Sequence, residues 1–433
     1  MINSINFLPF IFFVLLLIFI VTEKFNRSVI TFVFSICFIL FGFINYEEAL
    51  KSIDFNTIGL LIGMMMIVSI LSKTGIFQYL AIKTLKLAKG RPVRLLVLLS
   101  FLTAILSAFL DNVTTVLLIV PVTLYMTKIL EISPFPLLMS IIFFSNIGGT
   151  ATLIGDPPNI IIGSEANLSF NDFLKYNVPI VLIVSIFILI FLFLIFIRQL
   201  RSKKISINTL KKIKEDNLIK DKRQLIISII ILSIVFIGFI THSITHIENS
   251  VIALFGGFML LLLTTKEPDS IYKEIEWTSI FFFIGLFILV SSLEKTGFLG
   301  FLSKYIIYLT KGNVELTSYL ILIFVGIASG FVGSIPITIF FIKIIQELSL
   351  TGMNVFPLWW ALSLGACFGA NLTIIGSSAN IVSVDIYKKQ LMSDNNKKEQ
   401  EINFKIFLKY GFIVTLISIL LSILYLKFIF FNK

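Results

Sequence analysis

The chain has 433 residues, 57% of apolar type and only 14% charged, with 46 Phe, a mean hydropathy of +1.02 and a formal charge of +11. Soluble domains run at roughly 45–50% apolar and about 25% charged, so a soluble enzyme, a disordered chain and a nucleic-acid-binding domain are excluded. A bilayer admits only helices or closed barrels, and barrel strands alternate apolar with polar residues; the continuous runs here predict an all-α polytopic membrane protein.

The first run, Phe7 to Val21, lacks a basic leader and a clear cleavage site, and is read as a span rather than a removed signal peptide. Runs long enough to cross follow, giving spans near 5–21, 28–44, 56–72, 137–164, 178–197, 225–241, 250–264, 277–293, 357–384 and 408–430. Two apolar pairs, 93–110 with 113–130 and 315–331 with 335–350, are each joined by a short turn. The connections sort by charge: 198–224 holds ten Lys/Arg against three acids, 83–94 five against none, and 388–409 six against three. One alternating topology puts 27 of the 35 Lys/Arg on a single side, which the positive-inside rule makes cytoplasmic. The net charge is then an orientation signal rather than a nucleic-acid patch, and both termini face outward. Cys37 and Cys367 imply neither a disulfide framework nor a thiolate metal site.

The chain repeats itself. A shift of 222 residues aligns Ser28-Val29-Ile30 with Ser250-Val251-Ile252, Gly63 with Gly285, Lys73-Thr74-Gly75 with Lys295-Thr296-Gly297, and Lys89-Gly90 with Lys311-Gly312. One deletion later, Thr152-Leu153-Ile154-Gly155 meets Thr373-Ile374-Ile375-Gly376 and Asn159 meets Asn380; Phe173-Leu174-Lys175-Tyr176 returns as Phe407-Leu408-Lys409-Tyr410. The matches are polar or Gly and keep one register. Five crossings per copy is an odd number, so the second copy enters upside down: two inverted-topology repeats, 1–197 and 225–433, joined by a basic cytoplasmic linker, 198–224. The expected whole is ten crossings plus two re-entrant hairpins, 93–130 and 315–350, and two broken helices, 137–164 and 357–384.

Interrupted helices at corresponding places in the two halves are the best sequence pointer to a transport site. The first interruption runs from Ser145 through Asn146, Gly148, Gly149, Thr152, Gly155 and Asp156 to Pro157-Pro158-Asn159. Consecutive Gly and paired Pro break a helix, and freed backbone at membrane depth survives only where it is buried in protein or lines a cavity. Carbonyls and Asn or Thr oxygens suit a cation; the N-terminus of the next half-helix suits an anion. The second interruption offers Gly369, Asn371, Thr373, Gly376, Ser377 and Asn380, without Pro. Asp111-Asn112, followed by Thr114 and Thr115, forms a turn between two apolar arms with cytoplasmic flanks, so the acid sits at a buried hairpin tip, where an ionisable side chain is a functional hypothesis by default. Its partner tip, Gly333-Ser334, keeps the turn and loses both polar side chains, leaving Ser334 as the candidate there. Asp156 either serves a coupling ion or caps the half-helix begun by Pro157. Lys343 is a fixed counter-charge to a carboxylate, an attraction for an anion, or a snorkelling side chain. Cys367 and the pair His242 and His246 are weak as metal or metalloid ligands, and no metal site is assigned.

With these motifs the chain resembles the ion transporter superfamily, most of all the branch holding the arsenical pump membrane protein and the P protein, and more loosely the divalent anion:sodium symporters and citrate transporter-like proteins. The stretch Asn146 to Asn159, the tip Asp111-Asn112 with Thr114-Thr115, and the stretch Asn371 to Asn380 carry the resemblance. It implies outer scaffold helices around a transport unit of two hairpins and two broken helices, sliding as an elevator. It further implies that Asn112, Thr115, Gly148, Gly149, Thr152, Gly155, Pro157, Asn159, Gly369, Asn371, Thr373, Gly376 and Asn380 stand at substrate and ion sites. Homodimers are usual among similar proteins, although no residue here carries that. Gly333-Ser334 departs from the Asp-Asn pair that P-protein-like members tend to carry, which removes the basis for a second symmetrical cation site.

The function expected is secondary transport of a small anion or oxyacid, arsenite- or antimonite-like, out of the cell across its membrane. The proton or sodium gradient would drive it through Asp111 and Asp156. A sodium-coupled di- or tricarboxylate symporter, citrate-like, is the alternative, and a sodium/proton antiporter the third. An intramembrane protease would need a two-His-and-Glu metal helix, a Ser with a His, or paired catalytic Asp beside Gly-x-Gly-Asp, and the sequence supplies none of these. No enzyme activity and no cofactor beyond the coupling ion are expected.

Overall fold

Apolar runs of span length satisfy their own backbone groups in lipid by closing into helices. The computed structural model describes residues 7–22, 24–200, 218–264, 267–393 and 400–432, and every element among the described residues is helical. Eight helices are long and apolar enough to cross a membrane: Phe55–Lys73, Pro92–Phe109, Asn112–Leu130, Val178–Leu200, Lys222–Thr245, Trp277–Lys295, Val314–Val332 and Phe404–Phe431. Shorter apolar helices, Leu8–Thr22, Arg27–Leu40, Phe135–Gly149, Asn249–Thr264, Phe298–Thr310 and Phe356–Gly369, complete an all-α multi-pass membrane protein.

Helix starts repeat at the sequence offset. Phe55 and Trp277, Ile76 and Phe298, Pro92 and Val314, and Asn112 and Ser334 begin helices 222 residues apart; Phe135 and Phe356, and Pro157 and Ser378, do so 221 apart. The repeated small motifs are helix ends. Gly75 (φ +82°) and Gly297 (φ +71°) take the left-handed conformation that turns a spanning helix into a short amphipathic one, Ile76–Leu87 or Phe298–Thr310. The Thr74 and Thr296 hydroxyls each cap the preceding helix, donating to Leu71 O (2.6 Å) and Leu293 O (2.7 Å). The sequence patterning assigned no element to these short helices, because at 12 and 13 residues they fall short of a span.

The copies cross-pack. Helix Phe55–Lys73 lies on Asn249–Thr264, and Trp277–Lys295 lies on Arg27–Leu40. A Cβ on Gly63 would come within 2.4 Å of the Ala253 backbone, and one on Gly285 within 2.8 Å of Thr31. Gly63 and Gly285 are one offset apart, as are Thr31 and Ala253, so each contact is the other's image. A contact of this isologous kind defines a two-fold relation. Small residues let backbones approach where lipid gives no hydrophobic drive between helices.

Inside this crossed frame sit the hairpins and broken helices. Every residue of Phe135–Gly149 is buried, whereas Lys222–Thr245 fully buries only Leu225, Ser228, Val235 and Phe239 and exposes Ile226, Ile229, Ile230, Ile234, Ile237 and Ile240. The second broken helix resumes at Ser378 and runs to Ser393, well past position 384 where the apolar pattern ends. Hydropathy marks the membrane boundary, and the helix continues beyond it. Of the basic linker, the described ends are 198–200 and 218–224; Lys220 N donates to Thr74 O (3.0 Å), docking the linker on the same face as the Lys73–Glu274 ion pair (3.1 Å). Residues 201–217 lie outside the described residues.

Candidate functional site

The first broken helix ends at Gly149 and resumes at Pro157, whose ring fits a first helical turn and cannot continue an existing one. The gap folds back on itself. A Cβ on Gly155 would come within 2.6 Å of Gly149 O, and one on Gly376 within 2.5 Å of Ala370 O at the equivalent place in the second copy. The Thr152 hydroxyl is bonded to Ala108 O on the first hairpin, and the Thr373 hydroxyl to Gly330 O on the second. Asn159 Nδ2 donates to Thr152 O (3.0 Å) and Thr150 O (3.1 Å); Asn380 Nδ2 donates to Thr373 O (2.9 Å) and Ala370 O (2.8 Å). Each unwound segment is therefore stapled from the start of its second half-helix and clamped by its own hairpin. Close approach at Gly148 to Ala104 and at Gly369 to Gly326 lets hairpin and broken helix meet backbone to backbone.

The two copies join through one side chain. Asn146 Nδ2 donates to Asn371 Oδ1 (2.8 Å) and Asn380 Oδ1 (2.9 Å), and Asn146 Oδ1 accepts from Asn112 Nδ2 at 3.2 Å. Asn159 Oδ1 accepts from the Ser363 hydroxyl at 2.6 Å and from Cys367 Sγ at 3.5 Å. Asn112, Asn146, Asn159, Asn371 and Asn380 are all buried. Against the rule that buried polar groups are paired, three atoms here are orphaned: Asp156 Oδ2, Thr115 Oγ1 and Asn371 Nδ2. An acceptor beside Asn112 and a donor on Asn371 without partners, with an unpaired hydroxyl in the first turn of the hairpin's second arm, supply the mixed donor set that a hydrated cation or a small polar solute would complete.

Asp111 stands outside the amide cluster. It is the N-cap of Asn112–Leu130, accepting Thr114 N at 2.8 Å and bonding the Thr114 hydroxyl, so Thr114 serves the cap. Its charge is felt by Asp156 and by Glu276, just before Trp277–Lys295. Asp156 occupies an N-cap position without making a side-chain cap, and lies against Cys367 and Asn112. Ser377 Oγ accepts Ala379 N at 3.3 Å. Ser334 stands apart at the second tip. Lys343 lies 3.8 Å from both Glu165 and Glu294, at neither tip. His242 Nδ1 is 2.6 Å from Ile247 O, a helix-end contact.

Several participants escaped the sequence patterning. The Ser107 hydroxyl lies within hydrogen-bond distance of both Asn112 Oδ1 (2.7 Å) and Ser145 O (2.6 Å). Its repeat partner Ser329 donates to Ala366 O at 3.1 Å, so the 222-residue offset was the signal that could have found both. Asn177 Nδ2 bridges Thr150 O (2.8 Å) and Ser363 Oγ (2.9 Å), directly after the repeated Phe173-Leu174-Lys175-Tyr176. Glu276 carried no local signal; only the tertiary structure brings it near Asp111.

A family model described as a citrate transporter matches residues 17–365. An uncharacterized transporter of Mycobacterium tuberculosis is 38% identical over 422 residues, 96% of each chain. The P protein of Mus musculus is 29% identical over 454 aligned positions, covering 86% of this chain and 54% of that protein. Among solved structures, the YdaH transporter of Alcanivorax borkumensis, described as having an unusual topology, aligns with a TM-score of 0.59 over 86% of this chain and 85% of its own; at 11% identity that likeness concerns the fold alone.

Proposed function

As a membrane transporter belonging to the citrate transporter family, this protein, we propose, moves a small anion or oxyacid by coupling it to the proton or sodium gradient. The observation that carries the reading is the buried amide cluster joining the two unwound segments, with Asp156 Oδ2 and Asn371 Nδ2 left unpaired at it. Asp111 and Asp156, both on the first repeat, supply the negative charge for the coupling cation. The family description favours a carboxylate cargo over arsenite or antimonite, so the sodium- or proton-coupled carboxylate reading is taken first.

The crossed helices form the frame, and the hairpins with the broken helices form the moving unit; we also propose the division into repeats 1–197 and 225–433. An asymmetry between the repeats supports sliding. At one end of the frame, Ser28 and Thr278 face the start of the second half-helix at Ser377–Ser378. Of their repeat partners at the other end, Ser250 and Asn56, Asn56 shares a pocket with Ile160, Gly163 and Ser164 of the first half-helix. Asn56 Nδ2 reaches Ser164 Oγ at 3.3 Å, seven residues past the start at Pro157. Seven residues of helix is about 10 Å, the displacement that would exchange one end for the other.

The test is uptake into proteoliposomes of labelled citrate and, in parallel, arsenite, under an imposed sodium or proton gradient, with wild type and Asp111→Asn. Uptake that follows one gradient in wild type and loses that dependence in the variant supports the reading. Uptake with the same gradient dependence in both removes Asp111 from coupling.

A further inference from the structure

Away from both tips, Glu165, Glu294, Lys343 and Gln346 converge. Glu165 ends the half-helix Pro157–Glu165, Lys343 and Gln346 lie on Ser334–Leu350, and Glu294 lies in the last turn of Trp277–Lys295. Lys343 Nζ stands 3.8 Å from Glu165 Oε2 and 3.8 Å from Glu294 Oε2. Gln346 Nε2 donates to Glu165 Oε2 at 2.8 Å. The Lys343 and Glu165 side chains are each 21% exposed and that of Glu294 45%. Lys343, Gln346 and Glu165 belong to the moving unit; Glu294 belongs to the frame.

This cluster does not recur in the other repeat. Lys343 has Pro121 as its image, Gln346 has Leu124, Glu294 has Ser72 and Glu165 has Ile386. Contacts inside the frame do recur. Lys295 pairs with Glu48, and its image Lys73 donates to the hydroxyl of Ser270, the image of Glu48, at 3.2 Å. The packing differs in the same way. Trp277–Lys295 packs on Ser334–Leu350, whereas their images, Phe55–Lys73 and Asn112–Leu130, make no comparable contact.

We propose that Lys343 and Glu294 form an ionic catch that holds the moving unit at this end of the frame. The inference deepens the sliding reading and rests on it. A displacement of about 10 Å carries Lys343, Gln346 and Glu165 away together and leaves Glu294 behind. Lys343 keeps Glu165 throughout the movement, so the catch opens without stranding a half-buried charge, which is what makes breaking a buried pair costly. Glu294 is half-exposed, so the attraction is modest and salt screens it. A contact shifts two states only by the difference it makes between them. With Ser72 and Pro121 in the image positions, no ion pair balances the catch from the other end, and the carrier without cargo favours the end where Lys343 meets Glu294.

The experiment measures the separation of frame and moving unit in the full-length protein in lipid nanodiscs, without cargo or gradient. Nitroxides are placed at Leu262 on the frame helix Asn249–Thr264 and at Leu350 on the second hairpin, both exposed, in a Cys37→Ser background; Cys367 is buried. Double electron–electron resonance should give a distance distribution dominated by the separation seen in the structure. Glu294→Gln should shift the ratio of the two positions toward the other end by about two- to fivefold, the range that a half-exposed pair supports. Lys343→Gln should do the same, the double variant no more than either, and Lys343→Arg should keep the wild-type ratio. Raising the salt from about 10 mM to 1 M should move wild type toward Glu294→Gln and leave that variant where it is. A distribution identical in wild type and Glu294→Gln overturns the catch. If that common distribution still responds to sodium with citrate, sliding survives without it; if it never changes, the sliding reading falls as well. Should Lys343→Gln fail to fold, Glu294→Gln and the salt series decide, and a wild-type distribution indifferent to salt overturns the proposal.

Discussion

At the first hairpin tip stand Asp111 and Asn112, with Asp156 beside them; at the second stand Gly333, Ser334 and Ser377. Around both tips the architecture is the same. Thr152 and Thr373 clamp their hairpins, Asn159 and Asn380 staple their unwound segments, and Ser107 and Ser329 reach equivalent carbonyls. The pairs that hold backbone in place match, while those that present charge do not. Asn146, which ties the copies together, has Cys367 as its image, and Asn371 has Thr150. The backbone staples keep the two-fold frame; the acidic and amide side chains at the tips have diverged between its ends.

This contrast makes its strongest claim where the copies are alike. Gly148→Leu and Gly369→Leu should damage the protein equally, because a Cβ at either site would come within 2.3 Å of backbone or hairpin atoms that cannot retreat. Overpacking against backbone is expected to cost about 3 kcal/mol or more. Thermal unfolding in detergent measures it, and tolerance of one variant alone would break the symmetry. A smaller effect tests the diverged pair. Asn146→Ala strips the donors from Asn371 Oδ1 and Asn380 Oδ1 and should destabilise by about 2 kcal/mol, whereas Cys367→Ala, losing only weak sulfur contacts to Asn159 and Asp156, should change stability by less than about 1 kcal/mol. Equal losses in the two would refute the bridging role.

The smallest effect lies at the frame. Asp54 caps its helix through Asn56 N (2.9 Å) and Thr57 N (3.1 Å), while its repeat partner Glu276 makes no such cap. Burial, then the nearby Asp111 charge, pushes the Glu276 carboxyl up to about 7. A carboxyl with a folded pKa above its unfolded one favours folding while protonated, so stability should fall as pH rises from the usual carboxylate range toward 7. The melting temperature of Glu276→Gln should fall less than that of wild type between pH 5 and 7.5. Parallel pH profiles would remove Glu276 from the account.

Much of this architecture is legible in one dimension. Composition alone selects a helical membrane protein, because lipid leaves the backbone no other partner. The repeat offset is a fact of sequence, and helix starts fall on it, since Gly75 and Gly297, or Pro157-Pro158, fix local conformation with their nearest neighbours. The broken helices declare themselves through the same local rule. What joins Asn146 to Asn371 and Asn380, more than two hundred residues away, obeys no local rule. Nor could sequence tell that Asp111 is claimed by its own N-cap, or that Ser107 and Ser363 complete the amide cluster. Those depend on how the copies pack, and a hydrogen bond between distant segments is decided by three-dimensional proximity alone.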